Sequence, residues 1–387
     1  YGAVPWRTIF EPTIRACRDG FPLSAACRYY LGYSGDIIFG RSEDGHRALH
    51  RDDGSLIDAG DTVIVPHLAD TLAAIADEGA ALFYEGELAR AISEHCRAGD
   101  GMLTREDLAS YRAVERAPLQ AHIGDWQLAT NPPPAVGGSV LTAMLLACAD
   151  IDIDEWDARA LRQLIDAQRA CLDFRQRRLD LAADVGAEAS RLLDAARDGS
   201  LLTRWTSAST VHTSVVDDSG NGCAITASSG YGSGEMPDGT GLWLNNCLGE
   251  IELNRRGLDA GPPGERLPSN MAPSVARRDG AVIAVGSPGA DRITTAMQQF
   301  LINYLQLGMP LRGAIAHPRV HVDTSGEVVN LKAEPGLDLP DIDLPVSVFP
   351  GLVMYFGGVG AAVFDEANGF DVAADPRREG GVFNPDA

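Results

Sequence analysis

Apolar residues recur at three- and four-residue spacing through most of the first half of this chain, the mark of helices that bury one face. The spacing predicts helices over 8–18, 68–78, 86–97, 104–111, 139–149, 158–177 and 187–197. Two starts carry capping chemistry. Thr104-Arg105-Glu106-Asp107 sets a hydroxyl ahead of first-turn acids, and Asn131-Pro132-Pro133-Pro134 leads through Gly137-Gly138 to Ser139, expected as the cap of the helix behind it.

Beyond Thr210 the period changes to two. Segments 211–216 and 223–227 alternate around Asp217-Asp218-Ser219-Gly220-Asn221-Gly222, a turn signal, and so predict a hairpin. Further strands are expected over 282–286, 328–331, 346–349 and 361–364, with one helix at 293–307. The Gly- and Pro-rich stretch 256–273 reads as loop. Neither an internal repeat nor a long linker divides the chain. Helices followed by paired strands imply an α+β architecture, with helix layers covering stacked antiparallel sheets.

Composition narrows the function. With 45% hydrophobic residues in 387, the chain can bury a large core, which argues against a disordered or fibrous protein. Its 32 basic and 54 acidic residues give a net charge of -22, so no basic face is available to hold nucleic acid or anionic lipid. Lys332 is the sole lysine, which fits codon usage better than function. The seven cysteines (Cys17, Cys27, Cys96, Cys148, Cys171, Cys223 and Cys247) are scattered without a C-x-x-C pair, against a disulfide framework or zinc site. No cofactor or metal is called for. No run of eighteen apolar residues exists to cross a membrane as a helix. The chain opens at Tyr1, inside ordinary globular sequence, so a natural start and any targeting segment are expected upstream. The compartment stays open, the cytoplasm slightly favoured over periplasm or exterior.

The candidate chemistry begins at Thr210, where the helical half gives way to a strand. A strand threonine is ordinarily structural. It becomes a nucleophile if it is made an N-terminus, because its freed α-amine titrates near 8 and can take the hydroxyl proton. His212 lies two residues on, facing the same side of the strand, and reads as structural or substrate-adjacent because the amine already supplies the base. His317 and His321 have helical metal-pair spacing, but Pro318 argues against a helix interior. Ser229-Gly230-Tyr231-Gly232-Ser233-Gly234 lacks the Gly-Lys-Ser/Thr ending of a phosphate loop. On residues alone, Gly286 to Ala290 fits an ordinary strand-to-helix turn, Ser269 and Asn270 fit loop-backbone partners, and Glu250, close to Glu252, fits a solvated acid.

The segment Thr210-Val211-His212-Thr213-Ser214-Val215-Val216-Asp217, then Gly220-Asn221, resembles the strand that opens the small subunit of the gamma-glutamyltransferase family. Further blocks follow in the family's order. They are Gly232-Ser233-Gly234, Gly239-Thr240-Gly241, Leu244-Asn245-Asn246, Pro268-Ser269-Asn270-Met271-Ala272-Pro273 and Gly286-Ser287-Pro288-Gly289-Ala290-Asp291-Arg292-Ile293. Upstream, Tyr1-Gly2 with Pro5-Trp6, Asp19-Gly20-Phe21, the 103–111 stretch and Pro132-Pro133-Pro134 with Gly137-Gly138 resemble large-subunit blocks. His317-Pro318-Arg319 and Asp375-Pro376-Arg377-Arg378 match near the end.

The resemblance implies a four-layer αββα sandwich of the N-terminal-nucleophile hydrolase type, incomplete at its N-terminus. It implies a large-subunit-like part, 1–209, and a strand-rich catalytic part, 210–387, joined as one intertwined domain after self-cleavage between Ser209 and Thr210. Thr210 would be the nucleophile, Ser228 its supporting hydroxyl, and Gly289 and Ala290 the oxyanion hole. Ser269 and Asn270 would hold the substrate carboxylate, and Glu250 its ammonium. The implied activity is hydrolysis or transfer of gamma-glutamyl groups from glutathione-like donors. The partners would be that small molecule and the chain's own two fragments as a heterodimer.

Some positions depart from the family pattern. The family's upstream carboxylate-binding arginine has no counterpart here, 226–234 is shorter and lacks an expected asparagine, Cys247 and Gly249 stand where polar or acidic residues are usual, and Ala290 replaces a glycine. A cephalosporin-acylase-like amide hydrolase and a non-catalytic unprocessed member are the alternatives.

Overall fold

The computed structural model describes residues 2–149, 155–198, 210–250, 253–259, 261–324 and 328–385. Contacts divide the chain into two compact units, Tyr1–Glu115 with Gly232–Asn246, and Arg116–Tyr231 with Cys247–Ala387. Both cross the 209/210 boundary.

The smaller unit is helical, with helices at Trp6–Asp19, Ala25–Ser34, Glu43–Leu49, Leu68–Glu78, Ala81–Tyr84, Glu87–Ala98 and Arg105–Ser110. The expected cap at Thr104 is present: its hydroxyl accepts from the Asp107 N–H while the Asp107 carboxylate accepts from the Thr104 N–H. A small core of Leu23, Leu31, Leu49, Ile57, Val63 and Met236 joins the 232–246 segment to the rest of this unit. Thr71 Oγ1 donates to the Thr240 carbonyl at 2.8 Å and Trp243 Nε1 to the Phe39 carbonyl at 3.0 Å.

The larger unit is built on a six-stranded antiparallel sheet. Its order is Gly369–Ala374, Gly360–Asp365, Ala281–Gly286, Ser274–Arg278, Trp126–Thr130 and Leu119–Ile123. The central strand Ala281–Gly286 is buried along its whole length, so both faces are covered. Ile283 and Val285 point into a core shared with helices Val136–Ala147, Ala158–Phe174, Val185–Asp198 and Arg292–Leu301. Val282 and Gly286 point the other way, against the hairpin Val211–Val216 with Gly222–Ala227. The described residues thus build three layers: helices, sheet and hairpin. The hairpin's outer face, with Val211 67% and Ile225 60% exposed, carries no fourth layer among the described residues. A second sheet of three strands (Val320–Asp323, Asn330–Ala333, Val346–Val348) lies later in the chain.

Two expectations change. The helix expected to be capped by Ser139 begins at Val136, and Ser139 is buried inside it. The cause is packing: a Cβ on Gly137 would lie 2.2 Å from the Asn270 carbonyl oxygen, and one on Gly138 2.0 Å from that of Asn131. The glycines therefore admit two neighbouring chain segments rather than precede the helix. The first half is also less purely helical than its periodicity implies, since Leu119–Ile123 and Trp126–Thr130 form a hairpin turned at Gly124, φ 57°.

Candidate functional site

The reactive candidate, Thr210, is half-buried and directly precedes the strand Val211–Val216. Val211 pairs with Ala227 at the end of the ladder, and Thr210 and Ser228 are the residues immediately beyond that pair. The Ser228 hydroxyl accepts from the Gly230 N–H at 3.1 Å. Ser209, the other side of the expected cleavage point, lies outside the described residues, as does Glu252.

His212 fixes where this strand sits. A Cβ built on Gly286 would meet the His212 Cε1 and Nδ1 atoms at 2.3 Å, so the imidazole occupies the space that glycine leaves. Farther along, Gly222, paired with Val216, sits against Val275 and Val282. The hairpin strand therefore runs against the direction of Ala281–Gly286, and Thr210 lies at the end where that sheet strand passes into the 287–291 loop. The Ser214 hydroxyl donates to the Gly360 carbonyl at 3.1 Å, so it accepts from His212 Nε2 at 2.7 Å; Nδ1 then accepts from the Thr226 hydroxyl at 2.8 Å. Burial pushes the imidazole down to about 4. With both nitrogens engaged and its basicity low, the imidazole is unsuited to base work, and of the structural and substrate-adjacent readings these bonds favour the structural one.

The 287–291 loop is held on two sides. Gly289 has φ 129°, and a Cβ there would lie 2.7 Å from Gly357 Cα. Ala290 has φ 65°, an uncommon conformation for a residue with a side chain, and is buried. The carbonyls of Gly289 and Ala290 accept from the Arg292 and Ile293 N–H groups at 3.0 and 3.1 Å, the entry to the helix Arg292–Leu301. Among the described residues neither the Gly289 nor the Ala290 N–H donates to a backbone carbonyl. Two main-chain donors at a helix N-terminus suit a developing negative charge.

Ser269 is tied to the chain start of a neighbouring helix, its carbonyl accepting from the Val136 and Gly137 N–H groups at 2.8 and 3.2 Å. Asn270 is buried and its side chain is fully engaged: Oδ1 accepts from Arg175 Nη1 at 3.1 Å, and Nδ2 donates to the Ala290 carbonyl at 2.6 Å and Asp291 Oδ1 at 3.3 Å. Asn270 thus does satisfy loop backbone, but the backbone of the 287–291 loop and not its own. Glu250 is buried, 4% exposed, which corrects its reading as a solvated acid. Its carbonyl accepts from the Asn254 N–H at 2.9 Å. Cys247 lies nearby, its thiol donating to the Ser228 carbonyl at 3.6 Å; burial and Glu250 push its pKa up, against a thiolate role.

His317 and His321 do not share a helix. The helix Leu311–Ala316 ends before His317, while His321 lies on the strand Val320–Asp323 and bonds Thr295 Oγ1 at 3.0 Å.

Sequence reasoning missed Arg175, Asp180 and the side-chain role of Asp291. Arg175 is completely buried. Its Nε contacts both Asp180 oxygens at 3.1 Å and its Nη1 contacts Asp291 Oδ1 at 2.7 Å. Burial pushes the Asp180 carboxyl up to about 6 against the pull of Arg175. The one signal available was the unusual run Arg175-Gln176-Arg177-Arg178 at a helix end.

The profile of the family described as gamma-glutamyltranspeptidase matches residues 1–384. The glutathione hydrolase proenzyme of Escherichia coli is 28% identical over 357 residues, 83% of this chain and 61% of that protein. The chain therefore spans less than two thirds of that relative's length. Acylase ACY 1 proenzyme of a Pseudomonas species is 27% identical over 414 residues, covering 100% of this chain and 69% of that protein. A crystal structure of cephalosporin acylase from Bacillus halodurans superimposes with a TM-score of 0.77 at 22% identity, covering 98% of this chain and 74% of that one. The fold is accordingly that of this cephalosporin acylase.

Proposed function

We propose, from the premise that this chain belongs to the gamma-glutamyltranspeptidase family, that it is a self-processing threonine-nucleophile amidase that hydrolyses or transfers gamma-glutamyl groups. One observation carries the reading. The His212 ring seated on Gly286 brings the strand start at Thr210 and the 287–291 loop to one end of the stacked sheets.

In the first reaction the Thr210 hydroxyl oxygen attacks the Ser209 carbonyl, the C–N bond breaks, and an ester forms while the nitrogen leaves as the new α-amine. Water then hydrolyses the ester. Residues 1–209 and 210–387 remain together as a heterodimer, because strands and helices from both sides of the cut share one core. In the second reaction the α-amine takes the Thr210 hydroxyl proton, and the oxygen attacks the substrate amide. The Gly289 and Ala290 N–H groups stabilise the oxyanion, a contribution of about 3 kcal/mol for such a donor. The Ser228 hydroxyl supports the nucleophile. The Ser269 hydroxyl and the main-chain N–H of Asn270 hold the donor carboxylate, and Glu250 holds its ammonium. Water or an amine releases the acyl group.

A second reading keeps the mechanism and changes the acyl group. It draws support from the alignment of the whole chain with an acylase and from the half-buried thiol of Cys247 beside Glu250.

Intact mass measurement tests processing: two fragments meeting at Ser209 and Thr210 are expected, and Thr210→Ala gives one chain. Persistent cleavage at that bond in Thr210→Ala removes Thr210 from its role. Turnover of gamma-glutamyl-p-nitroanilide against p-nitroanilides of acyl groups without the α-amino acid head separates the two substrate readings.

A further inference from the structure

We propose that Arg175 is a positioning residue that sets the spacing between the substrate-carboxylate loop at 269–270 and the oxyanion loop at 289–290, acting through the Asn270 side chain. This rests on the roles proposed above for Ser269, Gly289 and Ala290.

Local chain geometry prepares the arginine. The helix Ala158–Phe174 widens into a single π-turn, Arg175–Leu179, in which the Asp180 N–H donates to the Arg175 carbonyl at 2.7 Å. That wider turn brings residues five apart onto one side, and Asp180 takes Arg175 Nε with both oxygens at 3.1 Å. The guanidinium plane is thereby fixed, and Nη1 faces Asn270 Oδ1 at 3.1 Å and Asp291 Oδ1 at 2.7 Å.

The consequence falls on Asn270. Arg175 has no acceptor, so the amide must present Oδ1 to it and Nδ2 to the Ala290 carbonyl at 2.6 Å. The orientation of the amide is thus determined, and the Ala290 carbonyl is held while that residue sits at φ 65°. A residue with a side chain keeps such a conformation only where its surroundings over-determine it. One link therefore runs from Arg175 through Asn270 to the loop whose N–H groups face the reacting carbonyl, and the main chain of Asn270 lies at the carboxylate end of the same link. Lysine keeps the charge but lacks the planar fork that engages Asp180, Asp291 and Asn270 together.

The test compares the processed enzyme with Arg175→Lys, Asp180→Asn and Ser269→Ala on gamma-glutamyl-p-nitroanilide and 4-aminobutyryl-p-nitroanilide, which differ by the α-carboxylate alone. Arg175→Lys is expected to lower kcat on the order of 100-fold, the scale of an ångström misplacement. It is also expected to lower the kcat/KM preference for the carboxylate-bearing donor about tenfold, one lost interaction's worth of discrimination. Asp180→Asn, which retains shape, moves both in the same direction by less, and Ser269→Ala lowers the preference. If Ser269→Ala lowers it while both network variants keep wild-type preference and kcat per folded molecule and lose only thermal stability, Arg175 is merely structural and the proposal falls, with the parent reading intact. If Ser269→Ala leaves the preference unchanged, or the unmodified chain turns over neither donor, the parent reading fails and takes this one with it.

Discussion

Two buried ionic clusters flank the 287–291 loop, and they hold it in different ways. The first, Arg175 with Asp180 and Asp291, centres on one guanidinium, which grips the loop at the Asp291 carboxylate and, through the Asn270 amide, at the Ala290 carbonyl. The second, Arg319 and Arg377 with Asp375 and Glu334, is redundant. Arg319 donates to the Phe356 carbonyl at 2.9 Å, Asp375 accepts from the Val359 N–H at 2.9 Å, and Glu334 accepts from the Val353 N–H at 3.2 Å. Gly357, against which Gly289 packs, is enclosed by those bonds and by the Gly358 N–H donating to Ser287 Oγ at 3.0 Å. Redundancy distributes the load, whereas a single guanidinium concentrates it. Two clusters of similar composition need not have similar roles.

The contrast breaks most visibly at Glu334, which joins Arg377 Nε at 2.7 Å and also bonds its Nη2. Glu334→Ala leaves a buried arginine short of its partner and is expected to cost about 3–5 kcal/mol in chemical denaturation, while kcat per folded molecule stays close to wild type. A collapse of kcat at unchanged stability would show that the two clusters act alike. Gly289→Ala addresses the loop between them. The new Cβ meets Gly357 Cα at 2.7 Å, and kcat is expected to fall on the order of 100- to 1,000-fold with little change in KM. A rise in KM alone would move the oxyanion donors elsewhere.

The hairpin pin is read by acid. His212 titrates near 6.5 when unfolded and near 4 when folded, so the unfolded chain binds the extra proton between those values. Stability is whole above about 6.5 and declines as pH falls toward 4, by at most roughly 3 kcal/mol at this site. His321, lowered to about 3 by burial and by Arg292, adds in the same direction. His212→Gln should flatten the thermal-stability slope across that window without abolishing it; an unchanged slope would mean the ring does not carry it. Smallest of all, Ala290→Gly relieves a left-handed φ and is expected to raise stability by about 1 kcal/mol, with activity retained. A loss of stability would imply that the Ala290 methyl group matters more than the backbone strain.

Much of the fold was legible. Helix 68–78 matches the observed bounds, and the hairpin at 211–216 agrees in register with its alternation. The strands Leu119–Ile123, Trp126–Thr130, Ser274–Arg278, Val320–Asp323 and Gly369–Ala374 went unread, because strands of four to six residues carry too few periods of alternation to stand out. At the candidate site, Thr210, Gly289 and Ser269 stood out through the resemblance of ordered blocks. Arg175 did not: Arg175, Arg177 and Arg178 look equivalent on one helix end, and only bonds to residues 95 and 116 positions away distinguish the buried one. Partnership across such separations leaves no local pattern to read.

The ring of His212 has a mechanical consequence. A severed strand loosens from its cut end inward unless something ties it down. Here the loosening can travel only two residues before it meets an imidazole wedged over Gly286 and clasped by Thr226 and Ser214. The cut proposed before Thr210 would leave the new terminus free to turn through its own bonds yet anchored in position. It would free an end without setting it adrift.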